Sequence, residues 1–226
     1  MHVAAIILAA GKGARFKSHT PKPLAKINSR PVISYSLKTF GAMREITSIV
    51  VVVNRANRCA IEDLLKKQRA QKVKLVVLGG ARRQDSVLKG ILAAGNEAEL
   101  VLIHDSARPF AGRAVARELI RQASRSKAAI CGVPVKATIK EVKGCVVKRT
   151  PERSGLWEIQ TPQVFNRKLL LKAFARFGKT NVTDDSMLIE KLGIRVKVVK
   201  GSYDNIKITT PGDLKIAQVI SKCLTE

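Results

Sequence analysis

The sequence predicts an α/β chain, with a mostly parallel sheet flanked by helices and an inserted β-hairpin arm. Three observations predict it. Short, continuous apolar runs recur at 3–8, 46–53, 73–78 and 100–103, the pattern of strands covered on both faces in a parallel sheet. Segments with helical spacing separate them, and such alternation gives parallel strands joined by right-handed crossovers. Between 138 and 149 the rhythm changes to two β-rich runs around Lys143-Gly144, a turn signal.

Val3 to Leu8 is the first strand, followed by a glycine loop. Pro31 to Phe40 carries apolar residues at Val32, Ile33, Leu37 and Phe40, with Pro31 suited to a first helical turn. Ile46 to Val53 is a β-branched strand, Asn57 to about Arg69 a polar helix, and Val73 to Leu78 a third strand closed by Gly79-Gly80. Gln84-Asp85-Ser86 opens a helix running through Leu88, Ile91 and Leu92 to Gly95, with Asp85 or Ser86 as the expected N-cap. Leu100 to Ile103 is the fourth strand, Gly112 to Ser126 a helix, and Ala128 to Val135 another strand.

Thr138 to Val142 and Cys145 to Arg149 form the arm, which is too short for its own core. An isolated hairpin is marginal in water, so the arm is expected to pack on another subunit. Gly155 to Phe165 returns the chain to the sheet, and Arg167 to Phe177 is a helix. Thr183-Asp184-Asp185-Ser186 reads as a further helix start, Val196 to Val199 as a strand, Ile206 to Ile208 as a short strand, and the segment after Pro211 as a terminal helix. The expected organisation is one domain over residues 1–226, including a dimerisation arm at 136–154.

The loop Ala9-Ala10-Gly11-Lys12-Gly13-Ala14-Arg15, continuing to Pro21-Lys22-Pro23, follows the first strand directly. Gly11 and Gly13 can take positive φ and carry no Cβ, so a ligand can approach their amides closely. Arg15 and Lys22 add a planar fork and a mobile point charge. Together these features suggest a phosphate site, although the glycines by themselves are equally consistent with a strand-to-loop turn. The fourth strand ends in His104-Asp105-Ser106-Ala107-Arg108-Pro109, and ligands in open α/β sheets bind beyond the carboxyl ends of strands. Asp105 could there help to hold Mg²⁺, which uses few protein ligands beside substrate phosphates. The alternative is that Asp105 and Arg108 form a structural ion pair or caps.

Forty-two Lys and Arg against 17 Asp and Glu give a formal charge of +25, which raises nucleic-acid binding as a hypothesis. The cations are spread along the chain, and 4% aromatic content leaves few rings for stacking on bases, so no specific nucleic-acid recognition is expected. No run approaches the roughly 20 apolar residues of a membrane span, and Met1-His2-Val3 passes straight into the first strand. A cytoplasmic protein without a leader is expected. Cys59, Cys131, Cys145 and Cys223 are scattered, which favours reduced structural thiols over a metal site or disulfides.

Taken in order, the glycine loop, Pro21-Lys22, Gly79-Gly80 with Asp85-Ser86-Val87, His104 to Pro109, Thr161-Pro162-Gln163, Thr183-Asp184 and Asp204-Asn205-Ile206-Lys207 resemble the 2-C-methyl-D-erythritol 4-phosphate cytidylyltransferases, a family of glycine-loop nucleotidyltransferases. The resemblance runs from the first strand nearly to the terminus. It implies a Rossmann-like fold and transfer of CMP from CTP to methylerythritol phosphate, with release of pyrophosphate, in non-mevalonate isoprenoid synthesis. By the same resemblance, Arg15 and Lys22 stabilise the transition state, and Lys207 assists the reacting phosphates. Ala10, Gly11 and Gly13 shape the triphosphate loop, Gly80, Asp85 and Ser86 surround the cytidine, and Asp105 supports Mg²⁺ or another divalent cation. Thr138 and Arg153 match arm positions that contact the acceptor from the neighbouring subunit of a homodimer, while Thr161 and Asp204 complete that pocket. Pro23, Ser106 and the pair Asp185-Ser186 depart from the family pattern. The chain is expected to lack the fused cyclodiphosphate synthase of some relatives. Two alternatives remain open: a ribitol-5-phosphate cytidylyltransferase, which shares the chemistry, and a non-enzymatic nucleic-acid-binding protein.

Overall fold

The strand β1 (Val3–Ala9) is apolar at every position because both of its faces are covered. Val3, Ala5, Ile7 and Ala9 face one helical layer, and Ile6 faces the other. This arrangement holds throughout the computed structural model, which describes residues 1–11, 13–16 and 20–224. Lys12 of the glycine loop lies outside the described residues. After the loop come two short strands, β2 (Lys26–Ile27) and β3 (Arg30–Pro31), which form a small antiparallel pair, and then helix α1 (Val32–Gly41). Pro31 sits at the N-cap of α1, just ahead of its first turn.

The next elements are β4 (Ile46–Val53), α2 (Arg58–Lys67), β5 (Val73–Leu78), α3 (Arg83–Ala93), β6 (Leu100–Asp105), α4 (Arg113–Ser126) and β7 (Ala128–Pro134). The arm contains β8 (Glu141–Lys143) and β9 (Val146–Arg149). The remainder is β10 (Trp157–Asn166), α5 (Arg167–Phe177), the short α6 (Ser186–Glu190), β11 (Lys197–Lys200) and α7 (Pro211–Cys223). Among the described residues these strands build a seven-stranded sheet in the order β11-β7-β10-β6-β1-β4-β5. Neighbours pair in parallel except β10, which runs antiparallel to both β6 and β7.

One face of the sheet packs on α1, α2 and α4 through residues such as Phe40, Ile61 and Leu119. The other packs on α3, α5 and α6 through Val87, Ile91, Leu170 and Leu188. Fully burying an aliphatic side chain of this size contributes about 1.5–3 kcal/mol, so the two layers supply most of the driving force. A third, smaller cluster joins Phe16, Ala25, Ile27 and Val32 to Ile208 and Ala217. It pins the segment after the glycine loop against the C-terminal part of the chain.

Four expectations are corrected. Ile206 to Ile208 is not a strand: Ile208 N–H donates to the Ala107 carbonyl at 2.8 Å. Both edges of β6 are already taken by β1 and β10, so no ladder can form there. The N-cap of α3 is Arg82, and Asp85 stands in the first turn with its carboxylate accepting from the Arg82 N–H at 3.0 Å. The turn of the arm is centred on Gly144-Cys145, since both have positive φ (55° and 64°) and Lys143 pairs with Val146. Such a two-residue turn matches the twist of the flanking strands. The side chains of Asp105 and Arg108 form no ion pair with one another, although the Arg108 N–H donates to the Asp105 carbonyl at 2.9 Å; the Asp105 carboxylate pairs with Arg83 and Lys207.

Candidate active site

The parallel strands β1, β4, β5 and β6 present their C-terminal ends along one edge of the sheet, where open α/β sheets place ligands. A cleft of about 430 Å³ opens there. Ala10, Gly11, Lys22, Gly80, Ser86, Asp105 and Lys207 line it, although they come from five separate stretches of sequence.

The glycine loop is held from the turn between β4 and α2. Asn57, fully buried, donates from Nδ2 to the Ala9 carbonyl at 2.9 Å, and Asn54 Nδ2 donates to the Ala10 carbonyl at 3.3 Å. The two asparagines also bracket one another, each accepting the other's backbone N–H at 3.0 Å. Gly13 takes φ of 64°, and the Phe16 N–H closes back onto its carbonyl at 2.7 Å. Arg15 is exposed on this turn, and the buried Phe16 anchors it. Lys22 opens a second short turn at Lys22–Leu24. Across the cleft, a Cβ on Gly79 would stand 2.6 Å from both the Ala10 Cβ and the Ser86 Oγ, so only glycine permits this approach. The Gly80 N–H donates to Ser86 Oγ at 3.0 Å.

Asp105 ends β6 and is flanked by two cations. Lys207 Nζ donates to its Oδ2 at 2.6 Å and Arg83 Nε to its Oδ1 at 3.1 Å. Burial would raise the pKa of Asp105, but Arg83 and Lys207 outweigh it and hold the carboxyl well below the usual carboxylate range. Lys22 is lowered from the ordinary lysine value, first by burial and then by repulsion from Lys207, with Asp105 opposing and Arg15 adding to the shift. A triphosphate placed among these cations would relieve that repulsion, so the cleft is electrostatically prepared for a polyanion.

Behind Asp105 stands a buried hydrogen-bond chain. His104 Nε2 lies 2.9 Å from the Arg108 carbonyl, which can only accept, so Nε2 carries the ring proton. Nδ1 then accepts from the Thr161 hydroxyl at 3.2 Å, and Thr161 Oγ1 accepts from the Asp105 N–H at 3.0 Å. Arg108 donates to the Asn205 carbonyl at 2.7 Å, and Asn205 Nδ2 donates to the Thr161 carbonyl at 2.9 Å. These bonds tie the end of β6 and the middle of β10 to the segment that carries Lys207.

Other expected site residues lie off the cleft wall. The Asp85 carboxylate is turned to Arg82, which reaches it from Nη2 at 2.6 Å. Thr161 is buried behind Asp105, and Asp204 lies in an exposed turn with Ser202. Thr138 is exposed on the arm, where Arg153 donates to the Lys136 carbonyl at 2.7 Å. Sequence reasoning missed Asn54, Asn57 and Arg83. Asn54 immediately follows β4, so applying the strand-end rule to β4 as well as to β6 would have found it. Arg83 adjoined the recognised Gln84-Asp85-Ser86 run and gave no separate signal.

Among the described residues no group of three or more His, Cys, Asp and Glu is assembled for a metal, and Asp105 is the one carboxylate on the cleft wall. Oδ1 accepts from Arg83 and Oδ2 from Lys207, and each oxygen retains further acceptor capacity. That donor set suits Mg²⁺ shared with substrate phosphates and water, and not a caged zinc ion.

Sheet, glycine loop and cation-lined cleft together have the form of a Rossmann-like α/β nucleotidyltransferase. The family model described as "IspD: 2-C-methyl-D-erythritol 4-phosphate cytidylyltransferase" matches residues 3–222. A relative of that name from Desulforamulus reducens is 43% identical over 98% of this chain and 96% of its own length. Another, from Shouchella clausii, is 44% identical over 98% and 97%. The crystal structure of 4-diphosphocytidyl-2C-methyl-D-erythritol synthase from Anaerococcus prevotii superposes with a TM-score of 0.85 at 34% identity, covering 97% of this chain and 96% of that one. The chain belongs to the 2-C-methyl-D-erythritol 4-phosphate cytidylyltransferase family.

Proposed function

We propose that this protein transfers the cytidylyl group of CTP to 2-C-methyl-D-erythritol 4-phosphate, releasing pyrophosphate, in non-mevalonate isoprenoid synthesis. The observation that carries the reading is the convergence of Lys22, Lys207 and Asp105 on one cleft beside the glycine loop, in a chain of this family. An acceptor phosphate oxygen attacks the α-phosphorus of CTP, and the bond from that phosphorus to the pyrophosphate oxygen breaks. No proton need move and no enzyme ester forms. What the reaction needs is alignment of two anions and compensation of the charge that builds on the leaving group.

Lys22, with Arg15 beside it, neutralises the triphosphate and the departing pyrophosphate. Ala10, Gly11 and Gly13 supply close backbone approach, and Gly80 and Ser86 border the nucleoside, with Asp85 fixing the Arg82 turn beside them. Lys207, held by Asp105, stands where the two phosphates meet. Mg²⁺ at Asp105 would supply Lewis-acid compensation of phosphate charge. Thr161 and Asp204 belong to the acceptor side. The arm exposes Ile139, Val142, Val146 and Val147, which supports a homodimer in which Thr138 and Arg153 reach the acceptor of a second copy. No helix among the described residues is long and apolar enough to cross a membrane.

Incubation with CTP, Mg²⁺ and either methylerythritol phosphate or ribitol 5-phosphate tests the reading. Pyrophosphate release is expected with the first acceptor and not the second. Release with ribitol 5-phosphate in its place overturns the acceptor assignment, and release with neither overturns the activity. Lys22→Ala should lower kcat about 10²–10³-fold with the fold retained, as for loss of a transition-state donor.

A further inference from the structure

Asp185 takes no part in the chemistry described above and does not line the cleft, yet its side chain is 0% exposed. Its Oδ2 accepts from Arg83 Nη1 at 2.9 Å, while Oδ1 has no hydrogen-bond partner among the described residues. It makes no side-chain cap to α6, the helix it precedes. A buried carboxylate left half-satisfied is costly, so capping or packing gives no account of it. Its one partner does. Arg83 spans two carboxylates, Asp185 on the buried side and Asp105 on the cleft side, at 2.9 and 3.1 Å.

The charges near Asp105 can be counted from these contacts. Arg83 and Lys207 both touch it, so without Asp185 one carboxylate would face two cations and present a net positive site. Asp185 cancels the Arg83 charge from behind. Of the cations in contact with Asp105, only Lys207 is then left for it to balance; Lys22 and Arg108 act on it from further away, and its remaining lone pairs can face a divalent cation. A guanidinium, planar and permanently charged, suits this bridging role because its Nε and Nη1 edges address both acids at once.

We propose that Asp185 is a positioning residue which, through Arg83, sets the affinity of Asp105 for the divalent cation that accompanies the nucleotide. This rests on the assignment of Asp105 to that cation. Electron paramagnetic resonance of Mn²⁺ binding, at saturating α,β-methylene CTP and without acceptor, reads affinity apart from turnover. Asp185→Asn should weaken Mn²⁺ binding about tenfold, the scale on which outer partners of metal ligands act. Arg83→Gln should tighten it, and the double variant should return toward wild type because the pair is again neutral. A merely structural role would make the double variant no better than D185N. If D185N fails to fold, tightening in R83Q still supports the proposal. Unchanged Mn²⁺ affinity in both single variants overturns it with the Asp105 assignment intact, whereas wild-type protein that binds no Mn²⁺ beside the nucleotide analogue overturns both.

Discussion

At the scale of single residues, the site depends on a histidine that does no chemistry on substrate. His104 is fully buried and neutral, and burial pushes its pKa down from 6.5 to about 4 despite the pull of Asp105. The unfolded chain therefore takes up a proton at this position that the folded chain refuses. Stability should fall as the pH drops from the unfolded value toward the folded one, by about 1.4 kcal/mol per unit. The depressed carboxylates Asp105 and Asp213 lose their contribution at lower pH, below about 4, so the windows separate. Chemical denaturation between pH 6.5 and 4.5 should show a steeper loss for wild type than for His104→Gln, which keeps a donor and an acceptor; parallel curves would refute the neutral buried state. Lys22 and Asp105, which the structure brings to one cleft with Lys207, were legible because charged groups beside glycine turns and strand ends carry a signal, whereas Lys207 was read from the family resemblance. Asn57, His104 and Arg83 act through partners distant in sequence, and nothing local announces such partners.

Among the elements, α3 connects core to site most directly. Val87 and Ile91 bury one face against Ile6 and Val52, and the N-terminal turn brings Arg83 and Ser86 to the cleft. Gly90 permits this closeness, since a Cβ there would stand 2.4 Å from Ile6 Cγ2 and 3.0 Å from Val52 Cγ2. Gly90→Ala gains about 1 kcal/mol of helix propensity but overpacks the interface by about 1–3 kcal/mol. A lower urea midpoint with an unchanged slope is expected; a raised midpoint would mean that the helix is not so tightly seated. Most elements were legible because each has an unbroken period: β4, β5 and α5 have the bounds their apolar patterns give. The direction of β10 was not legible, since Trp157–Asn166 carries the same alternation in either orientation. Ile206 to Ile208 misled for a similar reason, because β-branched residues fill a core corner as readily as a ladder.

At the scale of the whole molecule, the arm is the feature on which the proposed dimer rests. Val142 and Val147, paired across the hairpin, are each 54% exposed, and Val146 on the opposite face is 69% exposed, an unusual amount of bare aliphatic surface for a solvated hairpin. Light scattering should give a dimer mass for wild type and a monomer mass for the triple variant Val142→Lys, Val146→Lys, Val147→Lys, with a higher KM for the acceptor and an unchanged KM for CTP. A wild-type monomer mass would count against the dimer. The reversal of β10 makes this separation of effects intelligible. β7 and β10 are antiparallel neighbours, so the arm is the loop of one large hairpin, and it emerges at the edge that holds Asp105. Had β10 run parallel to β7, the chain leaving the arm would have had to cross to the opposite rim, about 20 Å away along the six residues of β6, before re-entering the sheet. The chain instead runs from the arm through Trp157 directly to Thr161. If the arm docks on a second copy, as proposed, that contact and Thr161 are joined by one short strand segment, while the glycine loop and Asp105 stand on strands that never leave the protomer.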